Sequence, residues 1–509
     1  MKKIKTLIIL SLVLLTSYIY QGCTNLDESV YDKLPVDEFG HSTNEINALI
    51  APIYRTLKLV FPGDYSLMTE CASDMAITPT RKGGDWWDGG QFKEMRLHTW
   101  TPNTNLVRIY NGTMEHITLC NKIYAMIESN DAIEDKEQIL AEIRGVRAFW
   151  YYMLVDCYGN VPLVTDFADT SLPSTTPRKD VYQFIVNELN DIKDLVRDDV
   201  TSSSYGKVTK GFVYTLLAKM YLNAEVWNPG GGAKWQETID ACDEVIALPY
   251  ILEPDWKANF AVQNQNSMEI IFPCIFSTSD GGNHIHKRTL HYLDPIALNL
   301  KVETWNGLSA MPDYVRAFDP ADKRLNGSFL LGEMKDPATG EVLITAHGRP
   351  LIHTVDLELK YNIEDGWGQV EQEVGGRCNK WEFENGLNGD MENDFAIFRL
   401  ADVYLMKAEA LVRMGKENAE ATRLVNEVRK RGFDDPSKLF SAVTLDDIYK
   451  ERRFELAWEG YTRQDQIRFG TFLDPIPGWK PQTPEKCLLF PIPQRALDAN
   501  ENLTQNPGY

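Results

Sequence analysis

Apolar positions recur at helical spacing through much of this chain. Between residues 44 and 59, Ile46, Leu49, Ile50, Ile53, Tyr54 and Leu57 fall on one face of a helix. The same periodicity predicts helices over residues 106–128, 136–158, 180–197, 209–227 and 235–248. It returns over 394–415, 418–431 and 445–461. Between these two groups, residues 250–393 are rich in Gly, Pro, Asn and Trp and carry few sustained helical patterns. The pattern predicts a mostly α fold in which helix pairs flank a loop-rich insertion.

One stretch organises the rest. In residues 142–165, Ile143, Val146, Trp150 and Leu154 mark an apolar helical face, widened by Ala148, Met153 and Val155. Arg144, Arg147 and Asp156 interrupt that face, so the helix carries charge into a packed environment. Gly159 supplies a stop and Pro162 forces extended backbone. The aromatic run 149–152 reads as core, because aromatics at helical spacing usually bury.

This segment, RGVRAFWYYMLVDCYGNVPLV, resembles the signature of the SusD/RagB family of bacterial outer-membrane nutrient-binding lipoproteins. Four more segments resemble the family in the same order. They are GKVTKGFVYTLLAKMYLNA (206–224), FRLADVYLMKAEAL (398–411), ERRFELAWEGY (451–461) and the ending LLFPIPQRALDANENLTQNPGY (488–509). The resemblance implies a bundle of tetratricopeptide-like helix pairs with a variable part of loops and short strands. The sequence itself has no clean 34-residue period. Four regions are expected: a leader at 1–22, a helical region at 23–249, a variable subdomain at 250–393 and a second helical region at 394–509.

The N-terminus sharpens the picture. Lys2, Lys3 and Lys5 precede a short apolar run, and Gly22-Cys23 closes the segment like a lipobox. This predicts a lipoprotein signal peptide, with Cys23 lipidated and the mature chain anchored to a membrane without crossing it. The acidic pair Asp27-Glu28 just after Cys23 resembles the family's signal for display on the cell surface. The net charge of −21 argues against a binder of nucleic-acid phosphates. The remaining seven cysteines are scattered, without CxxC or metal-ligand spacing, which predicts neither a disulfide framework nor a metal site.

Candidate chemistry concentrates in residues 74–100. There Gly83-Gly84 and Gly89-Gly90 bracket Asp85-Trp86-Trp87-Asp88. Glycines on both sides let a loop hold large rings. A flat apolar ring among planar polar groups suits a sugar, whose C–H face stacks while its hydroxyls hydrogen-bond. The resemblance implies a glycan site in such a loop, with Asp74, Arg81 and either Trp86 or Trp87 at the matching positions; Asp85, beside the tryptophans, is a further candidate ligand contact. One of the two indoles is expected to be buried and the other exposed. Trp305, in WNGLSAMPDY, is a second candidate; Trp367 and Trp381 are weaker, and Trp100 reads as core.

Arg452, Arg453, Glu455 and Glu459 on the 449–459 helix read as ion pairs, some buried, rather than acid–base machinery. No G-x-S-x-G, H-E-x-x-H, P-loop or G-x-G-x-x-G occurs, so no enzyme and no cofactor is expected. The resemblance implies capture of a glycan and its transfer to a SusC-like TonB-dependent transporter in the outer membrane. Two alternatives stand beside it: a secreted glycoside hydrolase with a carboxylate pair in the insertion, and a peptide-binding member of the same family.

Overall fold

Ten principal helices carry the fold. They are α1 (Thr43–Leu59), α2 (Ile109–Ser129), α3 (Lys136–Cys157), α4 (Arg178–Ile192), α5 (Lys210–Leu222), α6 (Trp235–Ile246), α7 (Leu400–Arg413), α8 (Asn418–Arg429), α9 (Leu445–Leu456) and α10 (Thr462–Phe469). The computed structural model describes residues 42–134, 136–279, 281–359, 361–362, 368–416 and 418–509. Cys23, Asp27, Glu28, the leader and Trp367 lie outside the described residues.

The ends of these helices follow local chemistry. Ser42 and Glu45 form a capping box on α1, and Thr444 and Asp447 form another on α9. Thr209 caps α5 by accepting from the Phe212 amide. Three helices end well before their periodicity predicts, and one starts well after: the helix predicted at 180–197 stops at Ile192, and the one predicted from residue 394 begins at Leu400 because Phe395–Arg399 pairs as a strand. The helix predicted at 209–227 breaks at Asn223 into α5 and a short turn, Ala224–Trp227. The one predicted to reach residue 461 stops at Leu456, because Trp458 turns to a left-handed φ of 69°. There its indole Nε1 donates to the Ser328 carbonyl.

Consecutive helices pack side by side: α2 on α3, α3 on α4, α5 on α6, and α7 on α6, α8 and α9. Phe149 of α3 sits at the centre, with Phe61, Phe272 and Phe398 rings 5.8, 6.1 and 5.9 Å away. The run 149–152 is fully buried, as its spacing predicts. The charges on α3 find partners inside the packing: Arg147 with Glu188 at 2.6 Å and Asp156 with Arg463 at 3.1 Å.

The segment between α6 and α7 is built from short helices, turns and strands of two to five residues. The longest strands, Ile270–Cys274 and Phe395–Arg399, pair antiparallel at its two ends. Buried charges tie this segment to the helices. Arg399 meets Glu269, Glu455 and Glu459 at 2.9, 2.6 and 2.7 Å. Arg324 meets Glu451 and Glu455 at 2.7 and 2.9 Å, and Lys380 pairs with Glu459. The charged helix 449–459 is therefore an ionic buttress, as the sequence suggests.

Among the described residues the seven cysteines are free and buried. No described helix is long and apolar enough to cross a membrane.

Candidate functional site

The loop that carries the paired tryptophans is held in an unusual backbone conformation. Gly83, Gly84, Gly89 and Gly90 all have positive φ, and so do Trp86 (64°) and Asp88 (43°). A non-glycine residue in this region costs about 1–2 kcal/mol, and such strain persists only where surroundings over-determine it. The surroundings do so here. The Arg81 amide donates to the Asp85 carbonyl, the Lys82 amide donates to the Val370 carbonyl at 2.8 Å, and the Val370 amide donates to the Thr80 carbonyl at 3.0 Å.

Arg81 fixes the loop from beneath. Its guanidinium donates to the carbonyls of Asn306 (2.9 Å), Val374 (2.9 Å) and Gly307 (3.0 Å) and to the Ser309 hydroxyl (2.7 Å). Burial, then the adjacent Arg377, pushes its proton affinity well below the ordinary guanidinium value. Fully buried, Arg81 presents no face to a ligand. The sequence assigned it a ligand contact; the structure makes it the brace that joins residues 80–90 to 305–309.

That second segment carries Trp305. The Trp305 amide donates to the Lys287 carbonyl at 2.7 Å, and Asn306 and Leu308 bond to Leu290 and Arg288. Trp305 stands 40% exposed, and Tyr292, on the adjoining segment, 39% exposed. Large exposed rings are the informative exception to burial. Trp86 links them: its Nε1 donates to the Trp305 carbonyl at 2.5 Å. Its ring lies against Gly307, where a Cβ would come within 2.5 Å of the indole, so that position admits only glycine. Phe92 meets the same ring edge-on at 5.6 Å.

Tyr292 closes the arrangement by donating its hydroxyl to Asp85 at 2.6 Å. Burial and the Asp85 carboxylate push the phenol up, so it stays a donor. Trp87 packs over Gly90, where a Cβ would stand 3.1 Å from its ring. Both Trp86 and Trp87 are half-buried, which corrects the expectation of one buried and one exposed ring. The ring of His284 lies 6.3 Å from Trp305, and Asp390 pairs with His284 (2.9 Å) and Lys287 (2.5 Å) beside it.

Asp85, Trp86, Trp87 and Trp305 thus come together, and Asp74 does not join them. Its carboxylate pairs with Arg453 at 2.7 Å and lines a separate cavity of about 240 Å³ with Arg96, Tyr449 and Lys480. Trp381 is core, stacked on Phe395 at 5.1 Å. Trp100 is core as expected and donates to the Tyr509 hydroxyl at 2.6 Å. Tyr292 was missed by the sequence reading, since one tyrosine in LHYLDP carries no periodic or glycine-flanked signal.

The resulting ridge offers two exposed rings with carboxylate, imidazole and ammonium groups at their edges. Chemically it can stack a flat apolar face and exchange hydrogen bonds around it. Among the described residues no cluster of histidine, cysteine, aspartate and glutamate is arranged to hold a metal ion.

Residues 364–478 match the model of the SusD family, and residues 26–222 match one described as starch-binding associating with outer membrane. The chain is 25% identical over 465 residues to the starch-binding protein SusD of Bacteroides thetaiotaomicron, covering 83% of this chain and 82% of that protein. It is also 25% identical over 528 residues to SusD-like protein P25 of Formosa agariphila, covering 95% and 89%. Among solved structures, surface glycan-binding protein A from Bacteroides thetaiotaomicron, in complex with laminarihexaose, superposes with a TM-score of 0.73 at 19% identity over 91% of this chain and 99% of that one. A SusD superfamily protein from Parabacteroides distasonis gives 0.76 at 21% identity, over 94% and 100%.

Proposed function

Since the chain belongs to the SusD/RagB family, we propose that it binds a glycan at the cell surface and delivers it to a SusC-like TonB-dependent transporter of the outer membrane. The observation that carries the reading is the ridge of Trp305 and Tyr292, held by Trp86 and Asp85 in a strained loop. Relatives named for starch and laminarihexaose binding support a saccharide as the ligand. The protein itself acts without turnover: it captures, and other proteins cut.

A polysaccharide panel tests this, read by calorimetric titration of the full-length protein in detergent. At least one oligosaccharide binds and is recovered at its original length after prolonged incubation. Shortened products that vanish when a carboxylate is mutated would promote the hydrolase reading, and binding of peptides in place of sugars would promote the peptide-binding one.

Anchoring rests on the leader and on Cys23. Each buried acyl CH₂ contributes about 0.8 kcal/mol, and one chain alone binds only marginally, so several are needed for stable attachment. Cys23→Ala is expected to abolish palmitate labelling and release the protein from the membrane fraction. A variant that stays acylated and membrane-bound contradicts the assignment.

A further inference from the structure

A second cleft, of about 460 Å³, opens where three segments of the chain converge. They are the turn 60–64, the stretch 102–112 that leads into α2, and residues 493–495 near the C-terminus. Its volume falls within the ~300–1,000 Å³ of small-molecule sites. The walls are fixed by their own bonds. The Gln494 amide donates to the Pro102 carbonyl at 2.9 Å, which joins two of them. The Thr104 hydroxyl accepts from the Thr101 amide at 2.9 Å and donates to Glu94. The Tyr158 hydroxyl accepts from the Tyr110 amide at 3.2 Å and donates to the Val107 carbonyl, which sets the start of α2. The cleft is therefore formed before any ligand arrives.

Its surface combines apolar and planar polar groups. Val60 and Ile109, both buried, and the rings of Pro102 and Pro493 supply the apolar part. Asn103 and Arg495, both exposed, and the half-buried Asn111 supply the polar part. The carboxamides of Asn103 and Asn111 and the Arg495 guanidinium make no hydrogen bond or ion pair among the described residues, which leaves them to a ligand. The lining holds one acid, Asp64, and one base, Arg495, so it suits a neutral polar molecule better than an ion.

Gly112 gives an independent sign that this space is kept clear. It lies in the first turn of α2 and lines the cleft, where alanine would make a better helix. Neither usual reason for glycine applies there. Its φ is not left-handed, and a Cβ would meet no other part of the fold within 4 Å. A larger side chain at this position takes up cleft volume. Asp64 relates the cleft to the aromatic ridge: it comes within 3.9 Å of Arg288, whose carbonyl accepts from the Gly307 and Leu308 amides beside the Trp86 ring.

We propose that this cleft is a second saccharide site, which holds a neutral sugar unit through its hydroxyls. Asn103 and Asn111 each offer a donor and an acceptor to neighbouring hydroxyls, and Arg495 offers a fork of donors. The C–H faces of the sugar rest on the prolines, Val60 and Ile109. Lacking a stacking ring, the cleft binds more weakly than the ridge and steadies a chain already captured there. The proposal rests on the reading of the protein as a glycan binder, but on none of the ridge residues.

The test isolates the cleft by disabling the ridge. Full-length Trp305→Ala protein in detergent is titrated with neutral gluco-, manno- and galacto-oligosaccharides, and binding is read by saturation-transfer NMR. Residual binding is expected, and adding Gly112→Leu or Asn111→Ala should weaken it by at least ~10-fold. Leucine is a good helix former, so Gly112→Leu should fill the cleft without lowering the melting temperature. Asn111→Ala removes hydrogen bonds without adding bulk, and keeps the test valid if the leucine variant folds poorly. Residual binding indifferent to both changes overturns the proposal and leaves the ridge standing. So does the loss of all binding with Trp305→Ala alone. Peptides that bind in place of sugars and are lost with the same two changes overturn the saccharide assignment. A wild-type protein that binds none of these sugars removes the glycan reading and this proposal together.

Discussion

Arg399→Ala is expected to destabilise the folded chain by about 3–5 kcal/mol, because it takes one charged partner from each of three buried carboxylates and leaves them with fewer cations than they need. Those carboxylates are Glu269, Glu455 and Glu459, all inaccessible to solvent. Arg431 and Arg324 remain on Glu455, Arg431 on Glu269 and Lys380 on Glu459, but each is already engaged by these carboxylates. A double variant, Arg399→Met with Glu455→Gln, should recover part of the loss, since removing both partners leaves fewer unmatched charges. Chemical denaturation followed by circular dichroism measures this. An Arg399→Ala midpoint equal to wild type would mean the network is dispensable.

The same network sets the response to acid. Burial by itself would raise the Glu455 carboxyl, but Arg431, Arg399 and Arg324 outweigh it and hold that carboxyl well below its usual range. Asp402 behaves alike, with Lys219 and Arg452 overcoming burial. A carboxyl depressed in the folded state contributes stability above its unfolded value of about 4 and loses it as pH falls toward the folded value. Stability should therefore decline with acid below about pH 4, and Glu455→Gln should flatten that decline.

Trp305→Ala is expected to weaken glycan binding by roughly 10- to 70-fold while leaving the melting temperature near that of wild type. One sugar face covering an indole removes on the order of 60–100 Å² of apolar surface, about 1.5–2.5 kcal/mol at ~25 cal/mol per Å². The fold tolerates the change because the exposed ring contributes little packing. Trp86→Ala should weaken binding as well, but by a different route. Its indole holds the Trp305 carbonyl and packs on Gly307, so its loss displaces the platform and lowers thermal stability too. Calorimetric titration beside thermal melts separates the two. Equal affinity for wild type and Trp305→Ala would remove this ring from the site.

The helices were legible because a buried face repeats every 3.6 residues, and Ile143, Val146, Trp150 and Leu154 display that repeat without reference to anything distant. The places where helices stop were less so. Trp458 leaves the helix to bond Ser328, 130 residues away, and nothing local announces it. The site divides along the same line. Trp86, Trp87 and Trp305 were readable as rings on glycine-rich or irregular backbone. Arg81 and Asp74 were read as ligand contacts, because a sequence shows charge but not burial. Arg81 faces carbonyls more than 200 residues away, and Asp74 faces Arg453 across 379. Tyr292 escaped notice for the converse reason: its bond to the ridge runs to Asp85, 207 residues distant.

The most direct test is an experimental structure of the protein with a bound oligosaccharide. The account predicts a sugar ring stacked on the Trp305 indole at about 4 Å, the van der Waals contact distance, with Tyr292 at its edge and Trp86 unmoved beneath. Sugar found elsewhere, such as in the cavity beside Asp74 and Arg453, with Trp305 and Tyr292 still open to solvent, would contradict it.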